Sequence, residues 1–259
     1  MNREALLNDF AIRSFRDVAD YDYICARMAG KATLIPQFLW LGLQALEKYL
    51  KCILLLNRIP AKHVRHDLSL GLKLIRKHLP FEIRLSKSSE DLISHLDTYG
   101  RFRYLETPFY VFGYELPQLD KTIWEIRRYC RTLNYSITLH DGSPTNMLSN
   151  ELMLIETSEM KPPQHFRISE GFIEKILDDK KHPARKPLVW QNLYFGGRSR
   201  KTVRLARFFH STNSPLSLHP EILDDVQQYV YLPKEIVEIY RNYVRSEEHT
   251  SELQSPNTI

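Results

Sequence analysis

The chain has 259 residues, 43% of them hydrophobic and 26% charged, with a formal net charge of +5; this balance excludes wholesale disorder and predicts one large or two modest globular domains. Gln44, Glu47 and Lys48 interrupt the best apolar run before it reaches membrane-spanning length, and the opening MNREALLNDF lacks the basic-then-apolar order of a signal peptide. Three widely spaced cysteines, Cys25, Cys52 and Cys130, read as reduced and mostly buried thiols, so the expected compartment is the cytoplasm.

Residues 1–14 form a short lead-in, for which a helix is one reading. Helical spacing of Val18, Tyr21, Ile24, Met28 and Ala32 predicts a first helix over about 15–32. Pro36 suits the first turn of a second helix that runs to about Asn57. Its polar residues Gln44, Glu47, Lys48 and Lys51 fall at i, i+3, i+4 and i+7, one narrow row on an otherwise apolar cylinder. Pro60 stops that helix, and Asp67 is a good N-cap for a third, whose buried face is Leu68, Leu72, Ile75 and Leu79. A fourth helix starts near 86–88 with Leu92, Ile93, Leu96 and Tyr99 inward, and a fifth runs from Pro117 to about Leu133. Five helices on short to moderate loops predict a mainly α protein with an up-and-down bundle over residues 1–135.

Past Ser136 the composition changes. His140-Asp-Gly-Ser-Pro144 is turn chemistry and Lys161-Pro-Pro163 is stiff, so 136–165 is expected to be a linker. Residues 166–244 are expected to form a smaller mixed α/β extension. Its strands would lie at Phe166–Ile168 and Leu188–Phe195, its helices at about 170–179, 220–230 and 233–244. The last fifteen residues, RSEEHTSELQSPNTI, show no helical period and resemble a translated sequencing adapter, so 245–259 is expected to be an artefactual tail. Without its one Arg and three Glu, the net charge rises from +5 to +7. That excess is local, because residues 161–210 hold twelve Lys and Arg against four Asp and Glu.

The order of several polar residues resembles a known family. Asp20-Tyr-Asp22 and Arg27 precede Gln44-Ala-Leu-Glu47-Lys48-Tyr-Leu-Lys51, then His66-Asp67-Leu68, Leu96-Asp97-Thr-Tyr99 and Arg103-Tyr104. Over about residues 15–135 this is similar to a HEPN domain. The resemblance implies a four- or five-helix bundle, usually homodimeric, that binds nucleotide or RNA. It further implies a place in prokaryotic defence or toxin–antitoxin systems, some members being metal-independent ribonucleases and others partners of nucleotidyltransferases. On that basis Gln44, Glu47, Lys48, Lys51, His66, Asp67, Arg103 and Tyr104 become binding candidates. Each has a plainer reading: Glu47–Lys51 as an ordinary i,i+4 pair on a solvated stripe, and His66 as a residue packed on its loop.

Cleavage by the RNA 2′-OH needs a group titrating near neutrality and a cation for the developing phosphorane charge. Arg58 and His63 have the family's Arg–His spacing and are the catalytic candidates, the alternative being Arg103 with an unidentified base. Their context departs from the pattern, since the family's pair opens a later helix and here Pro60 intervenes. Lys180, Lys181, Arg185, Lys186, Arg198, Arg200, Lys201 and Arg204 are the candidates for nucleic-acid contact. Trp190, Tyr194 and Phe195 interleave with them, either as base-stacking platforms or as core aromatics beneath a solvated basic face. The sequence has no phosphate-binding glycine loop and no Cys/His metal spacing, so neither cofactor nor metal is expected. Three functions follow as expectations: nucleotide or RNA binding, metal-independent RNA cleavage, or protein–protein interaction without catalysis.

Overall fold

The computed structural model describes residues 2–101, 105–196, 200–204 and 209–254, with side chains described as far as Arg245. Its Cα trace separates into two compact units, 1–101 with 113–207 and 102–112 with 208–259. The fold is mainly helical with a few short strands, as expected.

The first unit begins with α1 (Arg3–Ala11), capped by the Asn2 side chain, and a π-helical turn over Ile12–Arg16 passes directly into α2 (Asp17–Lys31). The lead-in is therefore itself helical. Next comes α3 (Ile35–Leu56), with Pro36 in its first turn and nearly every apolar position buried. It packs along α2 and also touches α1, α4 (Leu68–His78), α5 (Lys87–Tyr99) and α6 (Glu115–Arg127). Asp67 caps α4 as expected, its carboxylate accepting from the Leu70 amide at 2.7 Å. Gly100 ends α5 where the chain crosses α3: a Cβ there would lie 2.7 Å from the Leu96 carbonyl oxygen and 2.9 Å from that of Leu39. Among the described residues, no helix is long and apolar enough to cross a membrane.

Residues 136–165, expected to be a linker, contain regular structure. Strands β2 (Ser136–Thr138) and β3 (Pro144–Asn146) form an antiparallel hairpin, and α7 (Leu148–Glu159) follows. That helix buries only Glu151, Ile155 and Ser158, while Met153 and Leu154 are exposed, so its apolar residues do not trace one face.

Neither strand expected in the following stretch forms. Phe166–Ile168 is irregular chain after a 3₁₀ turn, and Leu188–Phe195 is divided between α9 (Arg185–Val189) and turns. The expected helix at 170–179 is α8 (Phe172–Asp178). The apolar residues that suggested strands are buried by packing on helices instead: Leu188 is fully buried in α9, which contacts α2, and Phe195 meets the Tyr23 ring at 5.5 Å.

Two buried ionic groups join this stretch to the bundle. Arg127 at the end of α6 donates to Asp20 of α2 at 2.8 Å and to Glu174 of α8 at 2.7–2.8 Å. Asp20 also accepts from the Tyr49 hydroxyl. The second group centres on Arg27, which donates to Asp120 and to the Pro187 and Trp190 carbonyls; Tyr23 and Asn192 complete it.

In the second unit β1 (Phe109–Val111) pairs antiparallel with β4 (His210–Thr212), Tyr110 opposite Ser211. Three helices follow, α10 (Pro215–Leu218), α11 (Leu223–Tyr229) and α12 (Lys234–Gln254), around a core of Leu216, Leu223, Leu232, Ile236, Val237 and Tyr240. Ser214 and Tyr240 fix the incoming chain by donating to the Glu106 carbonyl at 3.1 and 2.9 Å. The backbone of α12 stays helical through Gln254, so 245–254 is helical where none was expected. Glu, Leu and Gln there are good helix formers, and propensity suffices without an apolar period.

Candidate functional site

The polar row on α3 is a closed set of interactions. Lys48 is paired with Asp22 of α2 and Lys51 with Glu47. The second Glu47 oxygen meets His66 Nδ1 at 2.9 Å, and Gln44 lies 3.1 Å from the same nitrogen. The His66 ring stands edge-on to Trp40 at 5.2 Å. Both lysine side chains are about a quarter exposed, and each already faces a carboxylate, so the row brings together its predicted members with their charges matched internally.

The start of α4 is likewise occupied. A helix N-terminus attracts anions through its unpaired amides. Here Asp97 of α5 accepts from the Leu68 amide at 2.9 Å and the Ser69 amide at 3.1 Å, while Asp67 takes that of Leu70. The chain's own carboxylates fill the seat that a phosphate would take beside His66.

Arg58 and His63 are not brought together. Arg58 lies just past the end of α3 with φ +58°, the left-handed conformation common where helices stop. Its guanidinium donates to the Glu4 carboxylate, to Asn8 at 2.8 Å and to the Leu55 carbonyl at 2.8 Å. These contacts tie α1 to the end of α3. His63 is exposed, and no hydrogen bond or ion pair joins it to Arg58. Arg103 and Tyr104 lie outside the described residues, as does Arg198.

The basic set behaves differently from the row. Lys180 and Lys181 follow α8, and Arg185 and Lys186 open α9. Arg185 Nε donates to the Leu177 carbonyl at 3.1 Å, which holds α9 against α8. Farther along, Gln191 bonds both ways with the backbone of Arg204, accepting its amide at 3.1 Å and donating to its carbonyl at 2.6 Å. The segment with Arg200, Lys201 and Arg204 is thereby tied to the chain just after α9. Lys180, Lys181, Lys186, Arg200, Lys201 and Arg204 are all exposed, and among the described residues none is ion-paired.

The interleaved aromatics serve the core more than the surface. Phe195 is buried, and Tyr194 packs 5.8 Å from Trp124, with burial and then the nearby Glu125 and Asp120 charges pushing its hydroxyl up to about 12. Lys31 sits over Trp190 at 5.1 Å, so that ring already carries a cation.

One groove was missed in the sequence. Between α4 and α5 lies an open depression of about 620 Å³, floored by Leu72 and Ile93 and edged by Ser69, Ser94, Lys73, Arg76, Lys77 and Glu90. Arg76 is spent on Glu90, while Lys73 and Lys77, one helical turn apart, have no ion pair among the described residues. Their i,i+4 spacing was the available signal, but Lys77, in the last turn of α4, is also explained by the helix dipole.

Cys52 and Cys130 are buried while Cys25 is exposed. Burial pushes the Cys130 thiol well up, with Cys52 beside it reinforcing the shift, which makes it a poor nucleophile. Among the described residues no group of three or more His, Cys, Asp or Glu could hold a metal ion. In comparisons with known proteins, no family model, no curated protein and no solved structure matches this chain.

Proposed function

We propose that the protein is a HEPN-like, cytoplasmic nucleic-acid-binding protein that holds single-stranded RNA through the basic face around α9 and does not cleave it. One observation carries this reading: six exposed cations lie in two segments, 180–186 and 200–204, that flank one short helix, and among the described residues none of the six is ion-paired. Unpaired surface cations at that density are the electrostatic footprint of a phosphate backbone. The α3 row, which carries the family resemblance, supports the bundle more than the ligand, because each of its lysines has a carboxylate partner. The non-cleaving part rests on Arg58, whose guanidinium is committed to Glu4 and Asn8.

The test is RNA binding and cleavage, in EDTA, by the full chain and two variants. Lys180→Gln/Lys181→Gln/Lys186→Gln is expected to weaken binding of a labelled single-stranded RNA at least tenfold, and Lys48→Gln/Lys51→Gln less than threefold, as order-of-magnitude effects of lost phosphate contacts. Cleavage abolished by Arg58→Ala or His63→Ala would replace this reading with the ribonuclease.

A further inference from the structure

The paired strands of the second unit carry three exposed aromatic rings. Along β1 the faces alternate: Phe109 and Val111 are buried and Tyr110 is turned out. Phe112 follows directly, and Phe209 stands immediately before β4. Tyr110, Phe112 and Phe209 are 36%, 41% and 63% exposed. Their ring centroids lie 5.3 Å (Tyr110–Phe112), 5.4 Å (Phe112–Phe209) and 6.4 Å (Tyr110–Phe209) apart, the last pair with planes 29° from parallel. The rings thus touch one another and still present surface to solvent.

We infer that these three rings are a stacking platform for the unpaired bases of a single-stranded RNA. Contiguous exposed aromatic surface is costly in water and marks a contact site. Its chemistry is narrowed by the chain that feeds it. Residues 198–209 hold Arg198, Arg200, Lys201, Arg204 and Arg207 with no Asp or Glu, and end in Phe208-Phe209. Cations that precede aromatic residues so closely in the sequence match an alternation of phosphate and base, and a π-face accepts any base without reading its edge. The inference deepens the RNA-binding reading by assigning the base contacts to Tyr110, Phe112 and Phe209 rather than to Trp190, Tyr194 and Phe195.

The experiment compares a single-stranded RNA of about 15 nucleotides, near the upper site size of one such module, with the same sequence as a duplex, whose bases are already stacked. Tyr110→Ala/Phe209→Ala in the full chain is expected to weaken single-strand binding about tenfold or more while leaving duplex binding unchanged. Phe209→Trp is expected to keep single-strand affinity and to show indole fluorescence quenched by the single strand and not by the duplex. Unchanged single-strand affinity in the double variant, or an equal loss for both RNAs, would overturn the platform. Self-association lost with RNA binding intact would also overturn it and give the rings to a protein interface. If the lysine variants at 180–186 lose both RNAs alike and the aromatic variants lose neither, the basic face stands and the platform falls. The converse pattern keeps the platform and removes the basic face.

Discussion

Arg127 shows how a single side chain can organise this molecule. It is buried between two carboxylates on different helices, and their charges outweigh burial to push its guanidinium well above its ordinary value. Burial alone would raise the Glu174 carboxyl, but the Arg127 charge and hydrogen bonds hold it below the usual range. Removing the cation leaves both acids uncompensated in the core. Arg127→Met is therefore expected to cost about 3–5 kcal/mol, read as the midpoint of urea unfolding, and a loss below 1 kcal/mol would show that the pair is dispensable. Arg58 offers a test of the opposite kind. Its φ of +58° suits glycine, so Arg58→Gly and Arg58→Ala both lose the Glu4 and Asn8 bonds, but only alanine retains the strain. Glycine is expected to be the milder change by about 0.5–1 kcal/mol. A catalytic arginine would in addition show an equal loss of cleavage in both variants.

Among the elements, α3 and α4 were legible in the sequence because each has a marked start, a stop and a clear apolar pattern, nearly all round in α3 and one-sided in α4. Pro36 and Pro60 bracket α3, and Asp67 caps α4 as its side chain chemistry requires. The hairpin and α7 were not legible: exposed Met153 and Leu154 blur the short stripe of Leu148, Leu152 and Ile155. The two expected strands failed for a related reason. Leu188 and Phe195 are apolar because they pack on α2, and no partner strand lies beside them to use their backbone. The α3 row was legible as a row, but the carboxylates that neutralise its lysines include Asp22, twenty-six residues away from Lys48, which spacing alone does not reveal. On α5, burial lowers the His95 imidazole against a smaller raising effect of Glu115. A histidine lowered in the folded state stabilises fully above its unfolded value of about 6.5 and loses that contribution as pH falls toward the folded value. The melting temperature is expected to drop between pH 6.5 and 5 in the wild type by more than in His95→Gln; parallel curves would refute the assignment.

For the molecule as a whole, the pairing of cations differs from place to place. Where cations lie in the core or along α3, carboxylates meet them; around α9 they do not. That contrast leads to the basic face, and it predicts a steep response of RNA binding to salt. The most direct measurement is the slope of log Kd against log salt concentration for a single-stranded RNA. It is taken on the wild type and on the variant with Lys180, Lys181, Lys186, Arg200, Lys201 and Arg204 changed to Gln. Each cation withdrawn from a phosphate lowers the slope by about 0.7 for a single strand, so a flattening of about 2 to 4 is expected, with affinity lost at low salt and kept least affected at high salt. An unchanged slope in that variant would contradict the account.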